Sequence, residues 1–333
     1  MGLYLSHPSS LEHDTGGHPE NAGRLRAIET ALADAGWPGL DRVEAPAATH
    51  EQLRRVHSDE HIEAIEEFCA RGGGMIDLDT VASERSFEAA LHAAGGAVSA
   101  AERTLAGEAS FAFCALRPPG HHAEAARAMG FCLFNNVAVA TAHALAEGGV
   151  ERALVLDWDV HHGNGTEAIF AGSDRVLYAS IHQWPLYPGT GPAEYFGEGK
   201  GEGYTVNLPV PPGSGSDEFL SLVQNVVAPI ARAFAPGLVA ISAGYDAHRD
   251  DPLAECMVET EGYGEMAATA RDLAAELGAP VLLCLEGGYD RGALATSVIA
   301  TVRALDGDGV PRTAPVEPAQ AHIERHRRHW PDL

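Results

Sequence analysis

Short apolar runs that alternate with alanine-rich amphipathic stretches constrain this chain more than any other feature of its sequence. The runs predict buried strands at residues 111–116, 152–160, 176–182, 204–210, 237–246 and 280–289, with a first strand expected within 2–6. The stretches with helical spacing are residues 84–106, 136–147, 217–235, 260–277 and 291–305. Strands that alternate with helices favour right-handed βαβ crossovers. We therefore predict an α/β chain with a mostly parallel sheet.

The length of 333 residues suits one domain of this class. We expect a single domain over residues 1–310, followed by a C-terminal tail over 311–333. Residues 322–330, with the sequence HIERHRRHW, predict either a surface helix or an oligomer contact, and the sequence alone does not decide between them. The glycine-rich residues 188–204 predict an exposed loop.

Charge and cysteine content exclude several classes of function. The formal net charge is −25, so we expect no direct binding of nucleic acid, because phosphate binding requires basic patches. The acidity favours solubility or adaptation to salt over attraction of a cationic substrate. The five cysteines lack C-x-x-C spacing, which argues against a disulfide scaffold. The N-terminus lacks a signal-peptide pattern and no apolar run is long enough to span a bilayer, so we expect a cytoplasmic protein with no membrane partner.

Polar residues and glycines follow the apolar part of nearly every predicted strand. These segments are RPPGHHA (117–123), DWDVHHGNG (157–165), SIH (180–182), SAGYDAHRDDP (242–252) and LEGGYD (285–290). In open parallel sheets ligands bind outside the carboxyl ends of the strands, so these segments are expected to meet at one edge. Turn chemistry explains glycine, proline and aspartate in loops, but it does not explain the two histidine pairs His121–His122 and His161–His162. We therefore predict an active site at this edge.

Asp159 and His161 lie two residues apart on a predicted strand, so their side chains are expected to point to one face. A carboxylate oxygen and an imidazole nitrogen on that face can both coordinate one zinc ion, and Asp246 is the candidate third ligand. Three protein ligands leave an open position for water, as in catalytic zinc sites.

The neighbouring polar residues suit other roles than metal ligation. Asp157 would close the open position if it were a fourth ligand, so it fits better as an orienting carboxylate or as a ligand of a monovalent cation, which Ser180 would share. His121 and His122 offer a general base and a general acid beside a metal site. Asp157 and Asn164 are the candidates that fix the tautomers of these two histidines.

Tyr289 follows two glycines at a predicted strand end, so its hydroxyl is expected to approach the same site. A phenol aimed at a polarised carbonyl acts as an oxyanion donor. An ordinary turn tyrosine explains the GGY sequence better when it is taken alone, so this hypothesis depends on the neighbouring metal ligands.

In their order along the chain, these motifs resemble those of the histone deacetylase superfamily. The resemblance rests on RPPGHHA, GFCLFNN (130–136), DWDVHHGNGT (157–166), LYPGTG (186–191), SAGYDAHRDDPLA (242–254) and LEGGYD, and it extends from HPENAGRLRAIE (18–29) to about residue 305. The motifs are most similar to the class II and bacterial branch, which includes histone deacetylase-like amidohydrolases and acetylpolyamine amidohydrolases. The resemblance implies an arginase/deacetylase fold, a three-layer α/β/α domain around an eight-stranded, mostly parallel sheet.

The resemblance also implies a role for each candidate catalytic residue. It implies one Zn²⁺ per chain, with three ligands: Asp159, His161 and Asp246. His122 is the implied general base and acid and pairs with Asn164. His121 pairs with Asp157, and Tyr289 is the implied oxyanion donor.

The substrate channel and a second cation follow from the same resemblance. Phe131 and Tyr187 are the implied walls of a narrow acyl-lysine channel, and the backbone of Gly130 is implied to contact the substrate. Asp157 and Ser180 are implied to hold a K⁺ ion.

The implied reaction is removal of acetyl or other acyl groups from acyl-lysine or a related acylated amine by a metal-activated water. The alternative is an acetylpolyamine amidohydrolase. Polyamine-selective relatives can carry a glutamate beside the channel, seven residues after the last metal aspartate, and this chain has Leu253 there. That departure weakens the case for this selecting device and does not exclude acetylpolyamines.

Two remoter alternatives are an arginase-type ureohydrolase with two Mn²⁺ ions and a non-catalytic ligand-binding relative. The sequence DAHRD (246–250) mimics a ligand motif of the ureohydrolases, but Gly163 stands where their binuclear site needs an aspartate. A non-catalytic relative is expected to have lost Tyr289, His122 or a metal ligand, and all of these are present.

Overall fold

The computed structural model describes residues 1–307 and 313–333, and an eight-stranded sheet lies at its centre. The strands are β1 (Gly2–Ser6), β2 (Leu40–Glu44), β3 (Gly73–Met75), β4 (Val81–Ser83), β5 (Phe111–Cys114), β6 (Ala153–Asp157), β7 (Val176–Gln183), β8 (Thr205–Val210), β9 (Leu238–Ala243) and β10 (Val281–Leu285). The order in the sheet is β2-β1-β5-β10-β9-β6-β7-β8, and all neighbours pair in parallel. Strands β3 and β4 form a separate antiparallel pair.

Helices connect these strands and cover the sheet. They are α1 (Ser9–Glu12), α2 (Gly23–Asp34), α3 (His50–Leu53), α4 (Asp59–Ala70), α5 (Ser86–Leu105), α6 (Asn136–Ala146), α7 (Asn164–Phe170), α8 (Ser216–Leu222), α9 (Ala228–Phe234), α10 (Thr260–Leu277), α11 (Arg291–Leu305) and α12 (Ala319–His326). A π-helical turn, Val223–Val227, joins α8 to α9. Within the described ranges, no helix combines the length and the apolar character needed to cross a bilayer.

Both faces of the sheet are buried, because successive side chains of each strand point to opposite sides. In β10, Leu283 and Leu285 belong to a core that also contains side chains of α2, α10 and α11. Leu282 and Cys284 belong to a second core, which contains side chains of α4, α5 and α6. The predicted three-layer α/β/α arrangement around an eight-stranded parallel sheet is therefore confirmed.

The structure differs from the sequence-based expectation in its less apolar elements. Strand β2 was not predicted, since only the first of its five residues is fully buried and it lies at an edge of the sheet. Helices α2, α4 and α7 were also missed. The predicted strand 152–160 is too long, because β6 ends at Asp157.

The C-terminal segment packs against the domain. His322 and His326 on α12 are buried, and Trp330 Nε1 donates a hydrogen bond to the Gly203 carbonyl at 3.0 Å. The expected domain boundary at residues 310 and 311 lies outside the described residues.

A buried ion-pair network fixes the N-terminal segment against the loops that follow the strands. Arg117 Nη2 donates to Glu20 Oε2 at 2.7 Å, and Arg24 Nη1 donates to Glu20 Oε1 at 3.2 Å. Burial alone raises the pKa of the Glu20 carboxyl, but Arg117 and His13 hold that pKa well below its usual value. Because the folded-state pKa is depressed, the pairing contributes stability at neutral pH. That contribution is lost only as the pH falls through the folded-state pKa.

We predict that Glu20→Gln lowers the free energy of unfolding by about 3–5 kcal/mol at pH 7, because it leaves two buried guanidinium groups without a counter-charge. Chemical denaturation measures this change. Glu67→Gln is the matched control, since Glu67 pairs with Arg71 on an exposed face of α4 and its loss should cost less than about 1 kcal/mol. Equal effects of the two substitutions would contradict the assignment of Glu20 to a structural network.

Candidate active site

Loops at the carboxyl ends of the central strands surround a cavity of about 220 Å³. Its lining residues are Asp79, Pro119, His121, His122, Gly130, Phe131, His161, Leu186, Tyr187, Leu253, Gly287 and Tyr289. They come from the loops after β5, β6, β7, β9 and β10 and from the segment between β3 and β4. Parallel strands present all their carboxyl ends at one edge, which explains why residues so distant in sequence meet there.

Asp159 and His161 do not lie on a strand, and this corrects the sequence-based interpretation. After β6 ends, the Asp159 N–H donates to Asp157 Oδ1 at 3.1 Å and the His161 N–H donates to Asp159 Oδ1 at 2.9 Å. Aspartate side chains that accept from a backbone N–H two residues ahead form tight turns. The two turns bring the side chains of Asp159 and His161 together, and His161 lines the cavity.

Asp159, His161 and Asp246 form a buried group whose potential ligand atoms all lie within 4.8 Å of one another. His161 Nδ1 lies 3.1 Å from Asp159 Oδ1 and 3.2 Å from Asp246 Oδ2. In the part of the chain that the structure describes, it is the only such group of three or more His, Cys, Asp or Glu side chains.

The backbone around this group supplies both donors and space. Val160 N–H donates to Asp246 Oδ1 at 2.9 Å, and Gly287 N–H donates to Asp159 Oδ2 at 2.8 Å. A Cβ on Gly244 would overlap the Asp159 carboxylate, and a Cβ on Gly287 would overlap the carboxylates of both Asp159 and Asp246. These two glycines are therefore required for the close approach of the carboxylates.

The charges of the group require a cation at its centre. Burial lowers the pKa of His161, but hydrogen bonds to the two carboxylates raise it to about 10. A divalent metal ion would neutralise the same two carboxylates and accept a lone pair from the imidazole. Two carboxylates and one imidazole thus fit a zinc site that leaves further coordination positions open.

His122 is held in one tautomer by a chain of hydrogen bonds. Asn164 Nδ2 donates to Glu124 Oε1 at 2.9 Å, which turns the amide oxygen of Asn164 towards His122 Nδ1 at 2.8 Å. An amide oxygen only accepts, so His122 Nδ1 carries the proton and Nε2 keeps its lone pair. Burial and the neighbouring His121 hold the pKa of His122 well below its usual value, so this imidazole is neutral.

His121 has the opposite electrostatic environment. Its Nδ1 lies 3.0 Å from Asp157 Oδ2, which also accepts from the Tyr178 hydroxyl at 3.2 Å. Burial by itself lowers the pKa of His121, but the carboxylates of Asp157 and Asp159 raise it well above its usual value. The pKa values of the two neighbouring imidazoles are therefore shifted in opposite directions.

Tyr289 stands at the end of the turn that follows β10. Gly288, with φ of 116°, takes a conformation that favours glycine. Arg24 Nε donates to the Gly288 carbonyl at 2.6 Å, and its guanidinium lies 5.1 Å from the centroid of the Tyr289 ring. Enclosure and the Asp246 carboxylate raise the pKa of Tyr289 well above its usual value, so the phenol keeps its proton.

Three aromatic side chains, Phe131, Tyr187 and Tyr289, line the cavity. The Tyr187 and His122 ring centroids are 5.2 Å apart, and the Phe131 and Tyr289 centroids are 5.9 Å apart. Phe131 has a φ of 69°, a left-handed value that is rare for a bulky residue, and its N–H donates to Thr80 Oγ1 at 3.2 Å. Gly130 precedes it, and a Cβ there would overlap the His122 ring.

The structure places Asp157 and Ser180 side by side on neighbouring strands β6 and β7. Ser180 Oγ lies 3.0 Å from His182 Nδ1, and Asp157 Oδ1 accepts from the Asp159 backbone. The potassium site stays a prediction.

Several residues that shape the site were not found from the sequence. Glu286 Oε2 accepts from the Gly120 and His121 N–H groups at 2.6 and 3.2 Å, and burial raises the pKa of its carboxyl to about 7. Its signal was a carboxylate directly after an apolar run, the same pattern that identified Asp157. Glu124 and Asp251 act through contacts between loops, for which one sequence gives no signal.

Comparison with known proteins identifies the family of the chain. The family model described as a histone deacetylase domain matches residues 18–305. The chain is 45% identical over 308 residues to a probable deacetylase of Methanothermobacter thermautotrophicus, covering 92% of this chain and 91% of that protein. It is 39% identical over 311 residues to a histone deacetylase-like amidohydrolase of Pseudomonas aeruginosa, covering 92% and 81%.

The crystal structure of the HDA15 HD domain has a TM-score of 0.92 to this chain at 38% identity, and the match covers 99% of this chain and 95% of that one. The family model, these relatives and the fold all identify the same family, and the chain belongs to the histone deacetylase family of deacetylases and amidohydrolases.

Proposed function

We propose that this chain is a zinc-dependent deacylase that hydrolyses the amide bond of an acyl-lysine or a related acylated amine. The observation that carries the proposal is the buried Asp159–His161–Asp246 group, whose His161 lines the same cavity as His122. Asp159, His161 and Asp246 would hold the ion. When bound, zinc would supply Lewis-acid chemistry that polarises the amide carbonyl and lowers the pKa of a water.

The side chains around the cavity supply the remaining steps. His122 Nε2, with its free lone pair, accepts a proton from the attacking water, and the resulting imidazolium returns a proton to the leaving amine. The Tyr289 hydroxyl donates a hydrogen bond to the carbonyl oxygen as negative charge develops on it. The positive charge of His121, held by Asp157, keeps its neighbour His122 from being protonated before the reaction.

The shape of the cavity supports a substrate with a slim alkyl chain. Phe131 and Tyr187 provide aromatic walls, and Leu253 provides an apolar one. Such walls pack against methylene groups and exclude water from the reacting amide.

Acetylpolyamine remains the second candidate substrate. The Asp79 carboxylate lines the cavity and would attract the free ammonium groups of an acetylpolyamine, whereas the side chain of an acyl-lysine is neutral. Leu253 lacks the charge of the glutamate that selects polyamines in some relatives.

The two remoter alternatives find less support. A second metal ion would need a carboxylate at position 163, and a Cβ on Gly163 would already overlap Asp157 Oδ2 and the Tyr178 hydroxyl. A non-catalytic relative would have no use for the Glu124–Asn164–His122 chain that prepares a base.

We also propose that Asp157 and Ser180 hold K⁺, which would stiffen the loop after β6.

We predict that the purified protein contains about one zinc ion per chain and that a strong chelator removes it together with the activity. His161→Ala should lose the metal, because one of three ligands is gone. Elemental analysis of the wild type and the variant measures both. Two manganese ions per chain with hydrolysis of arginine would instead support the ureohydrolase.

We predict that His122→Ala lowers kcat by about 10²–10⁴, because the variant has no positioned base. Its metal content should stay at the wild-type level, which separates this variant from His161→Ala. Elemental analysis measures the metal content of the wild type and both variants, and steady-state kinetics on an acetyl-lysine peptide measure their kcat. Loss of metal in His122→Ala would show that its role is misassigned.

We predict that Tyr289→Phe lowers kcat for acetyl substrates by about 10²–10³ with little change in KM, because the phenol contact strengthens as the oxyanion forms. Trifluoroacetyl-lysine should lose less, since its carbonyl is already activated. A panel of acetyl-lysine peptide, acetylated polyamines and longer acyl-lysines, assayed with both proteins, also ranks the substrates. Wild-type kcat in Tyr289→Phe, with chemistry rate-limiting, would mean that the oxyanion donor lies elsewhere.

A further inference from the structure

Asp251 is a buried carboxylate that links two loops of the cavity. Its side chain is in the loop after β9, and the residue is 7% exposed. Oδ2 accepts from the Tyr289 N–H at 2.6 Å and from the Asp290 N–H at 3.3 Å. Oδ1 accepts from the Leu253 N–H at 3.0 Å. One side chain thus holds the backbone of the proposed oxyanion donor and that of a cavity wall.

The turn that carries Tyr289 needs such a restraint. Two glycines, Gly287 and Gly288, precede the tyrosine, and glycine permits more backbone conformations than any other residue. Arg24 holds the Gly288 carbonyl from one side of the turn. Asp251 holds the next two N–H groups, those of Tyr289 and Asp290, from the other side.

The position of the turn is also fixed at its far end. Asp290 Oδ1 accepts from the Ala293 N–H at 2.8 Å and caps α11. Between this cap and the end of β10, the Asp251 side chain holds the backbone of Tyr289 by accepting a hydrogen bond from its N–H. Loss of that anchor frees the turn without removing any group from the cavity lining.

We propose that Asp251 is a positioning residue for the Tyr289 phenol. This inference rests on the proposed function. Asp251 does not line the cavity, so it acts through Tyr289, whose hydroxyl must lie where negative charge develops on the substrate. A displacement of about 1 Å at such a group is enough to cost about 10²-fold in rate.

The test is a double-mutant cycle between Asp251→Asn and Tyr289→Phe on the zinc-loaded protein. Alone, Asp251→Asn should lower kcat for an acetyl-lysine peptide by about 10- to 100-fold, and less for the trifluoroacetyl peptide. In the Tyr289→Phe background the same substitution should lower kcat less than about twofold, because the hydroxyl that it positions is already absent. Asp250→Asn, the same change at the exposed neighbouring residue, is the matched control and should keep the wild-type kcat.

The inference is overturned if Asp251→Asn lowers kcat equally in the wild type and in Tyr289→Phe, or if it lowers kcat in neither. Thermal unfolding and metal content of each variant are measured beside the kinetics. If Asp251→Asn does not fold, the cycle uses Asp251→Glu, which keeps the charge and shifts the oxygens by one methylene, and the same two outcomes decide.

Failure of the inference is distinguishable from failure of the proposed function. If Tyr289→Phe alone keeps the wild-type kcat, the oxyanion donor is wrong, and Asp251 then has no phenol to position. If Tyr289→Phe is slow and the cycle is additive, the proposed function stands and only the role of Asp251 falls.

Discussion

The meeting of the Asp159 and Asp246 carboxylates at one imidazole is the constraint to which the rest of the site conforms. Two buried negative charges repel each other unless a cation lies between them and donors satisfy their outer oxygens. The N–H groups of Val160 and Gly287 provide those donors, and the missing side chains of Gly244 and Gly287 provide the room. The loops after β6, β9 and β10 therefore take their shape from the site as much as from the sheet.

The same constraint separates the roles of two histidines that are neighbours in sequence. His121 faces the Asp157 carboxylate and its pKa is raised, whereas His122 faces the neutral amide of Asn164 and its pKa is lowered. Each imidazole reinforces the state of the other, since a charged neighbour disfavours a second proton. A base that is neutral and oriented before the substrate arrives needs no reorganisation when the reaction begins.

Local sequence patterns predicted those parts of the molecule that depend on local physics. Continuous apolar runs identified the central strands, and carboxylates and histidines directly after them identified the side chains around the cavity. Strand β2 lacks an apolar run because it lies at an edge of the sheet. The two-residue spacing of Asp159 and His161 predicted a strand, but hydrogen bonds from backbone N–H groups to aspartate side chains fold this segment into turns instead. Asp251 and Glu124 act between loops far apart in sequence, so their partners appear only in three dimensions.

The order of strands in the sheet has a consequence for the synthesis of the chain on the ribosome. Strand β10 is the last to be made, yet it lies between β5 and β9 in the middle of the sheet. Until residues 281–285 have left the ribosome, β5 and β9 both present unpaired inner edges, a form prone to association with other chains. Gly287, which donates to Asp159, follows directly, so the sheet and the metal-binding group are completed by the same late segment. A nascent chain that stalls before this segment has most of its residues and no functional site.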